Sequence, residues 1–170
     1  GRYFISVLVD TTQSKKQLAT ISEGTTIGID LGIKHFAILS DGTKIDNNRF
    51  LQQSLKKLRV AQRSFARKKK GSNRRLMQKK VVAKIYDKVT NQRKDFLHKL
   101  STQIVNEYDS IAIENLNIAG MIKNRKLARH IADVSWGTFE TFLKYKADWY
   151  GKNILQIGMF EPSSKMCSCG

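Results

Sequence analysis

Two carboxylates lie in runs that otherwise carry almost no charge. Asp30 interrupts the apolar stretch TIGIDLGI (26–33), and Glu114 closes the run IAIE (111–114). A carboxylate in apolar surroundings is costly unless it is paired or holds a metal. If both runs are central, neighbouring strands, the two acids converge at one edge of the sheet. Hard oxygen ligands at close range suit Mg²⁺, with Mn²⁺ as the alternative. A pair of such ions can activate a water and stabilise the leaving oxygen of a phosphodiester. The competing reading is a solvated strand-end acid or a helix cap, and spacing alone leaves both open.

A phosphodiester substrate needs cationic surroundings, and the chain supplies them. Its 170 residues carry 31 Lys and Arg against 14 Asp and Glu, a formal net charge of +17. Such a surplus attracts polyanions by counterion release. From Asn47 to Tyr86 there are 14 Lys or Arg and no acid. The candidates for phosphate contact are Lys56, Lys57, Arg59, Arg63, Arg67, Lys68, Lys69, Lys70, Arg74, Arg75, Lys79 and Lys80. Contacts of that kind fix position and carry little sequence information. Lys123, Arg125, Lys126 and Arg129 form a second basic patch after Glu114, which either holds a strand beside the metals or is simply solvated. A solvated helix face or a ribosome-type structural protein is the bland alternative for the charge. A membrane-surface role is disfavoured, because the basic residues share no helix with a bulky apolar stripe. No apolar run reaches 18 residues and no signal-peptide pattern opens the chain, which points to the cytosol.

The elements that must position these groups follow from periodicity. Residues 3–9 (YFISVLV) read as a strand and 10–24 as a polar loop. Strands follow at 25–33, 35–40 and 44–46, with Asp41-Gly42 as a hairpin turn. Leu51, Leu55, Leu58, Gln62 and Phe65 mark one helix face, and Val82, Ile85, Val89, Phe96, Leu100 and Ile104 a second. The break KKKGSNRR (68–75) makes these an antiparallel helical hairpin. Residues 110–116 return to strand. Trp136, Phe139, Leu143, Lys146 and Tyr150 lie at helical spacing, Gly151 stops that helix, and 153–160 is a last strand, left at Pro162. Trp136, Phe139, Phe142 and Trp149 read as core rather than as base-stacking platforms, since most fall on one helical face. Asp133 reads as a helix start, and His35, His98 and His130 have no catalytic or metal role. The order describes an α/β domain with a mixed sheet.

Four blocks in order carry a family resemblance: GIDLGIKHFAILSDG, AIENLNIAGM, KLARHIADVSWGTFETFLKYKADWYGKNI and EPSSKMCSCG. They resemble the RuvC domain of TnpB (OrfB) proteins, encoded by small bacterial and archaeal insertion sequences and related to type V CRISPR nucleases. The resemblance covers nearly the whole chain. It implies an RNase H-like (RuvC) fold over 1–166, a three-strand antiparallel meander, a long basic helical insert at about 47–106, and the start of a truncated zinc ribbon at 167–170. It implies Mg²⁺-dependent, RNA-guided DNA cleavage in the bacterial or archaeal cytoplasm, near the nucleoid, with DNA and a guide RNA as partners. Asp30 and Glu114 match the family's catalytic acids, and the helical insert matches a surface that lies against the guide and its target. The family's third acid falls in a stretch beyond Gly170, so this chain alone is expected to cut DNA poorly. Cys167 and Cys169 match the position of a zinc module, yet C-x-C is one residue shorter than the usual knuckle and lacks a second pair. They are expected to be free thiols here and Zn²⁺ ligands in a longer protein. The chain reads as a piece of such a protein. The alternative is a silent relative that binds RNA and DNA without cutting.

Overall fold

Alternation along the apolar runs decides which way each strand faces. Ile27, Ile29 and Leu31 are buried while Gly28 and Asp30 are not, so one face of this strand is core and the other is open. The computed structural model describes residues 3–9, 17–124 and 128–158. Strands β1 (Thr26–Leu31), β2 (His35–Leu39) and β3 (Lys44–Asp46) form an antiparallel meander. Strands β4 (Ser110–Glu114) and β5 (Asn153–Ile157) join it in parallel, giving the order β3-β2-β1-β4-β5. The helices are α1 (Phe50–Ala66), α2 (Asn73–Glu107), α3 (Ile118–Ile122), α4 (Ala128–Val134) and α5 (Trp136–Tyr150). The expected α/β class, mixed sheet and meander are therefore present.

The buried side chains of β1 and β4 join Leu97, Leu100 and Ile104 of α2 and Phe139 and Leu143 of α5 in one core. Phe36, at the bulge between His35 and Ala37, meets Phe96 and Phe139 edge-on at 5.2 and 5.1 Å. The hairpin turn is as read from Asp41-Gly42: Gly42 adopts φ +88°, and the Asp41 carboxylate accepts the Thr43 N–H at 2.8 Å. Gly151 ends α5 in the left-handed region at φ +67°, and Lys152 N–H returns to the Ala147 carbonyl at 2.8 Å.

Three contacts bind distant elements. Asp109 sits at the seam of the parallel strands. Its N–H donates to the Thr25 carbonyl (2.9 Å), its carbonyl accepts from Asn153 N–H (2.8 Å), and its carboxylate takes the Lys152 ammonium at 2.5 Å. Lys146 is buried on α5, and among the described residues no carboxylate pairs with its ammonium. It donates to the His98 carbonyl, Ser101 Oγ and Thr102 Oγ1 of α2 at 2.7, 2.8 and 2.7 Å. Burial holds its pKa below the ordinary lysine value. The third contact is made by Asp133, one residue before the end of α4. Its two carboxylate oxygens accept the Leu51 N–H, each at 3.2 Å, and one of them takes Arg93 Nη2 at 2.8 Å. Residue Arg49, which precedes α1, lies at φ +46° and offers no side-chain cap. Asp133 thus caps a helix distant in sequence rather than starting its own.

Other expectations change. Residues 3–9 form no strand among the described residues; Tyr3, Phe4, Ile5 and Leu8 stand exposed, because neither sheet edge pairs with them. Trp149 is 68% exposed rather than core, and Tyr150 is also exposed. The α5 face that meets α2 and the sheet runs through Trp136, Phe139, Leu143, Lys146 and Ala147, and position 149 has rotated off it. Residues 10–16 and 159–170, with Cys167, Cys169 and Pro162, lie outside the described residues.

Removing the Asp133 carboxylate strips a cap and strands a largely buried guanidinium. Asp133→Ala should lose about 2–4 kcal/mol of stability in urea denaturation, and Asp133→Asn, which keeps an acceptor oxygen, should lose less. The hydrogen bond from Lys152 holds the Asp109 carboxyl below its usual pKa. That stabilisation is present above the unfolded value, near 4, and is lost as pH falls through the folded one. The difference in thermal midpoint between Asp109→Asn and the parent chain should therefore shrink steadily from pH 7 to pH 3.

Candidate functional site

The register of the two central strands places the acids. β1 and β4 run parallel with Thr26, Ile27, Gly28 and Ile29 opposite Ser110, Ile111, Ala112 and Ile113. The ladder ends at Ile29 and Ile113, and the residues that follow that pair are Asp30 and Glu114. Neighbours in a parallel ladder point to the same face, and this one is opposite the buried isoleucines. At a strand spacing of about 4.8 Å, carboxylates on adjacent positions of neighbouring strands are close enough for one divalent ion to bridge. Asp30 is exposed and Glu114 half-buried, so a water-carrying ion and a phosphate could approach. Both lie at the carboxyl ends of their strands, the edge where open α/β sheets bind ligands. The donor set fits Mg²⁺ or Mn²⁺ with coordination positions left for water and phosphate. Among the described residues, no three His, Cys, Asp or Glu side chains gather closely enough to complete a metal cage.

The chain leaves Glu114 through a short turn into α3, where Asn117 Oδ1 accepts the Gly120 N–H at 2.9 Å. Lys123 follows, exposed, while Arg125 and Lys126 lie outside the described residues and Arg129 falls within α4. His35 faces Asp46 at 3.4 Å, and His98 stacks on Phe142 at 3.9 Å. Neither imidazole has a described partner in the Asp30–Glu114 pair.

The basic run occupies α1, the connection at 67–72 and the first part of α2. These two helices pack side by side through Leu58 and Ala61, and Gln62 Nε2 donates to the Tyr86 hydroxyl at 3.1 Å. Lys56, Lys57, Arg59, Arg63, Arg67, Lys69, Lys70, Arg74, Lys79 and Lys80 are exposed, and Lys68 is half-buried. Arg75 differs. Its guanidinium donates to the Phe65 and Lys68 carbonyls (3.2 and 2.9 Å) and lies 4.2 Å over the Phe65 ring, so it closes the turn between the helices. Composition could not separate Arg75 from its neighbours, since only the fold brings the Phe65 carbonyl to it. Val60, Leu76, Met77 and Val81 are exposed among the cations. Apolar spacing along a helix marks such residues as core until the partner helix is seen to cover another face.

Comparison with known proteins then fixes the family. The OrfB_IS605 family, described as a probable transposase, matches residues 5–125. The chain belongs to the OrfB_IS605 family. A second family, the Cas12f1-like TNB domain, matches residues 136–170. A protein of Streptomyces pristinaespiralis named "Putative RNA-guided DNA endonuclease" is 40% identical over the whole chain, which corresponds to 42% of that protein. InsQ of Escherichia coli K12, which carries the same description, is 29% identical over the whole chain and 45% of its own length. The chain thus spans less than half the length of these relatives. Among solved structures, the fold resembles a Cas12f1–sgRNA–target DNA complex (TM-score 0.53, 18% identity, 89% of this chain and 40% of that one). It also resembles a CRISPR-Cas12f ternary complex (TM-score 0.56, 20% identity, 95% of this chain and 33% of that one).

If the exposed cations of this OrfB_IS605 chain contact phosphate, reversing Arg67, Lys68, Lys69 and Lys70 to Glu should weaken binding to single-stranded oligonucleotides. The slope of log K against log salt should fall by up to about 3. An unchanged slope in fluorescence anisotropy would place the contacts elsewhere.

Proposed function

We propose that this chain is the RuvC-type, RNase H-like nuclease unit of a TnpB-like, RNA-guided DNA endonuclease that hydrolyses DNA phosphodiesters with Mg²⁺ or Mn²⁺. The observation that carries the reading is the register of β1 against β4, which sets Asp30 and Glu114 side by side on the open face of the sheet. The strand order, with an antiparallel meander on one side and parallel strands on the other, supports the RuvC-type assignment. The 40% identity to the Streptomyces protein supports the substrate class.

In this reading Asp30 and Glu114 hold the metal. When bound, the ion supplies Lewis acidity and a lowered pKa for its water. The carboxylates fix its position, and the open face admits the phosphate. Lys123, Arg125, Lys126 and Arg129, which follow Glu114 in the chain, hold the scissile strand, and the exposed cations of α1 and α2 hold the guide RNA and target. Cys167 and Cys169 contribute to a zinc site in a protein of the relatives' full length. No helix among the described residues is long and apolar enough to cross a membrane, which accords with a protein acting on DNA in the cytoplasm.

A second reading, a relative that binds RNA and DNA without cutting, draws on one observation: two carboxylates meet on the open face, and the described residues offer no third. The two readings separate in a protein of the relatives' full length, loaded with guide RNA. Asp30→Asn and Glu114→Gln should each reduce target cleavage more than about 100-fold while leaving target binding intact. Equal cutting by parent and variants would remove the two acids from the mechanism, and no cutting by any of them would favour the silent binder. The 170-residue chain alone, with no third carboxylate gathered at the pair among the described residues, should cut single-stranded DNA slowly or not at all with either ion.

A further inference from the structure

One face of the molecule carries a series of aromatic side chains that begins against the core at Phe142 and ends in solvent. Four rings run in series from α2 along α5. His98 stacks on Phe142 with centroids 3.9 Å apart and 20° between planes. Phe142 meets Tyr145 edge-on at 5.9 Å, and Tyr145 meets Trp149 at 4.7 Å. The Tyr145 hydroxyl also lies 3.4 Å from His98 Nδ1. Phe142 and Tyr145 in the middle of the series are half-buried, and both ends are exposed, Trp149 by 68%. Beneath the rings the Lys146 ammonium locks α5 to α2 and lies 5.8 and 6.0 Å from the Phe142 and Tyr145 centroids. The outermost indole is therefore braced from behind and open in front.

That open side forms a groove of about 610 Å³ between α2 and α5, lined by Trp149, Tyr150, Lys99, Gln103 and Asn106 among others, with no carboxylate among its lining residues. Asp148 is exposed next to Trp149 in sequence, and Lys99 pairs with Asp95 at 2.8 Å, so this is not a site of bare positive charge. A pre-ordered indole, a second exposed phenol and two carboxamides match the needs of an unpaired nucleobase: a flat apolar face to stack on and donors and acceptors for its edge. The net charge of +17 favours the anion that carries such bases over an ordinary protein surface.

We propose that Trp149 and the groove beside it form a stacking platform for unpaired bases of RNA. The proposal rests on the nuclease reading in one respect, the choice of RNA. α5 ends beside Asn153, where β5 begins, while Glu114 pairs with Ile157 at the other end of the same two strands. Along the strand direction the platform is thus offset from the acidic edge by roughly a strand length, about 13 Å. The strand to be cut belongs at the acids, and the strand that is not cut is the one available to a distant platform. α2 links the two regions, since it carries Arg74, Lys79 and Lys80 in its first turns and Gln103 and Asn106 near its end.

The chain has two tryptophans, and Trp136 is 2% exposed. Intrinsic fluorescence on titration with an oligouridine RNA therefore reports chiefly on Trp149. Quenching should saturate together with binding followed by anisotropy of labelled RNA. Trp149→Ala should abolish the quenching and weaken RNA binding roughly tenfold, and Trp149→Phe should recover part of that loss, as stacking requires. Oligodeoxythymidine should bind more weakly. Undiminished RNA affinity in Trp149→Ala, or binding without quenching, overturns the platform. Equal or tighter binding of the DNA overturns the assignment to RNA. Loss of a self-associated species in Trp149→Ala by sedimentation, with RNA affinity unchanged, gives the surface to a second copy of the chain and overturns it as well. Because quenching is read without cleavage, its failure is distinct from failure of the nuclease reading.

Discussion

The parallel pairing of β1 with β4 is the constraint on which the rest of the structure depends. It joins segments separated by two long helices, and it sets Ile29 opposite Ile113 and therefore Asp30 beside Glu114. A slip of one residue would turn one acid into the isoleucine core and leave the other outside. Two features prevent that slip. The isoleucines of both strands must face α2 and α5 together, and Asp109 pins the start of β4 to Thr25 on one side and to Asn153 and Lys152 on the other. The register of the candidate metal site is thus set at the opposite end of the strand from the acids themselves.

α2 is the second organising element. Its 35 residues belong to two environments. The first part pairs only with α1 and stands in solvent with the basic residues, and the last part is buried against the sheet. Polar contacts hold this long helix where apolar burial alone would let it slide. Arg93 reaches Asp133, and Lys146 reaches the His98 carbonyl and the hydroxyls of Ser101 and Thr102. Lys146 shows how a buried cation is tolerated without a counterion. All three of its donors find oxygen, and burial lowers its pKa instead of being offset by a carboxylate. The sheet that carries the two acids and the basic hairpin are connected through this one helix.

Much of this was legible in the residues. Period-two and helical patterns located the five strands and the main helices, because half-buried elements must alternate with solvent. The Asp41-Gly42 turn and the Gly151 stop were readable because only glycine enters the left-handed region without strain. An acid inside an isoleucine run marked Asp30 and Glu114, but the expected cost of burial does not arise, because alternation puts Asp30 in solvent and leaves Glu114 half-buried. The strand assigned to Tyr3–Val9 did not form, because strand propensity creates no pairing partner. Trp149 shares a helix with Trp136 and Phe139, but not their face, and helical spacing of the aromatics alone does not separate it from them.

What the sequence by itself determined is local: element type, the turn chemistry, the surplus of positive charge, and the motifs that mark the family. Tertiary structure alone decided what depends on juxtaposition. It set the two acids on one face, gave Asp133 a helix in a distant part of the chain to cap, withdrew Arg75 from the exposed cations, and left Trp149 open at the end of a braced series of rings. The physical reason is the range of the interactions. Propensity and periodicity act over a few residues, whereas a register, a remote cap or an exposed ring depends on which distant surface the folded chain brings alongside.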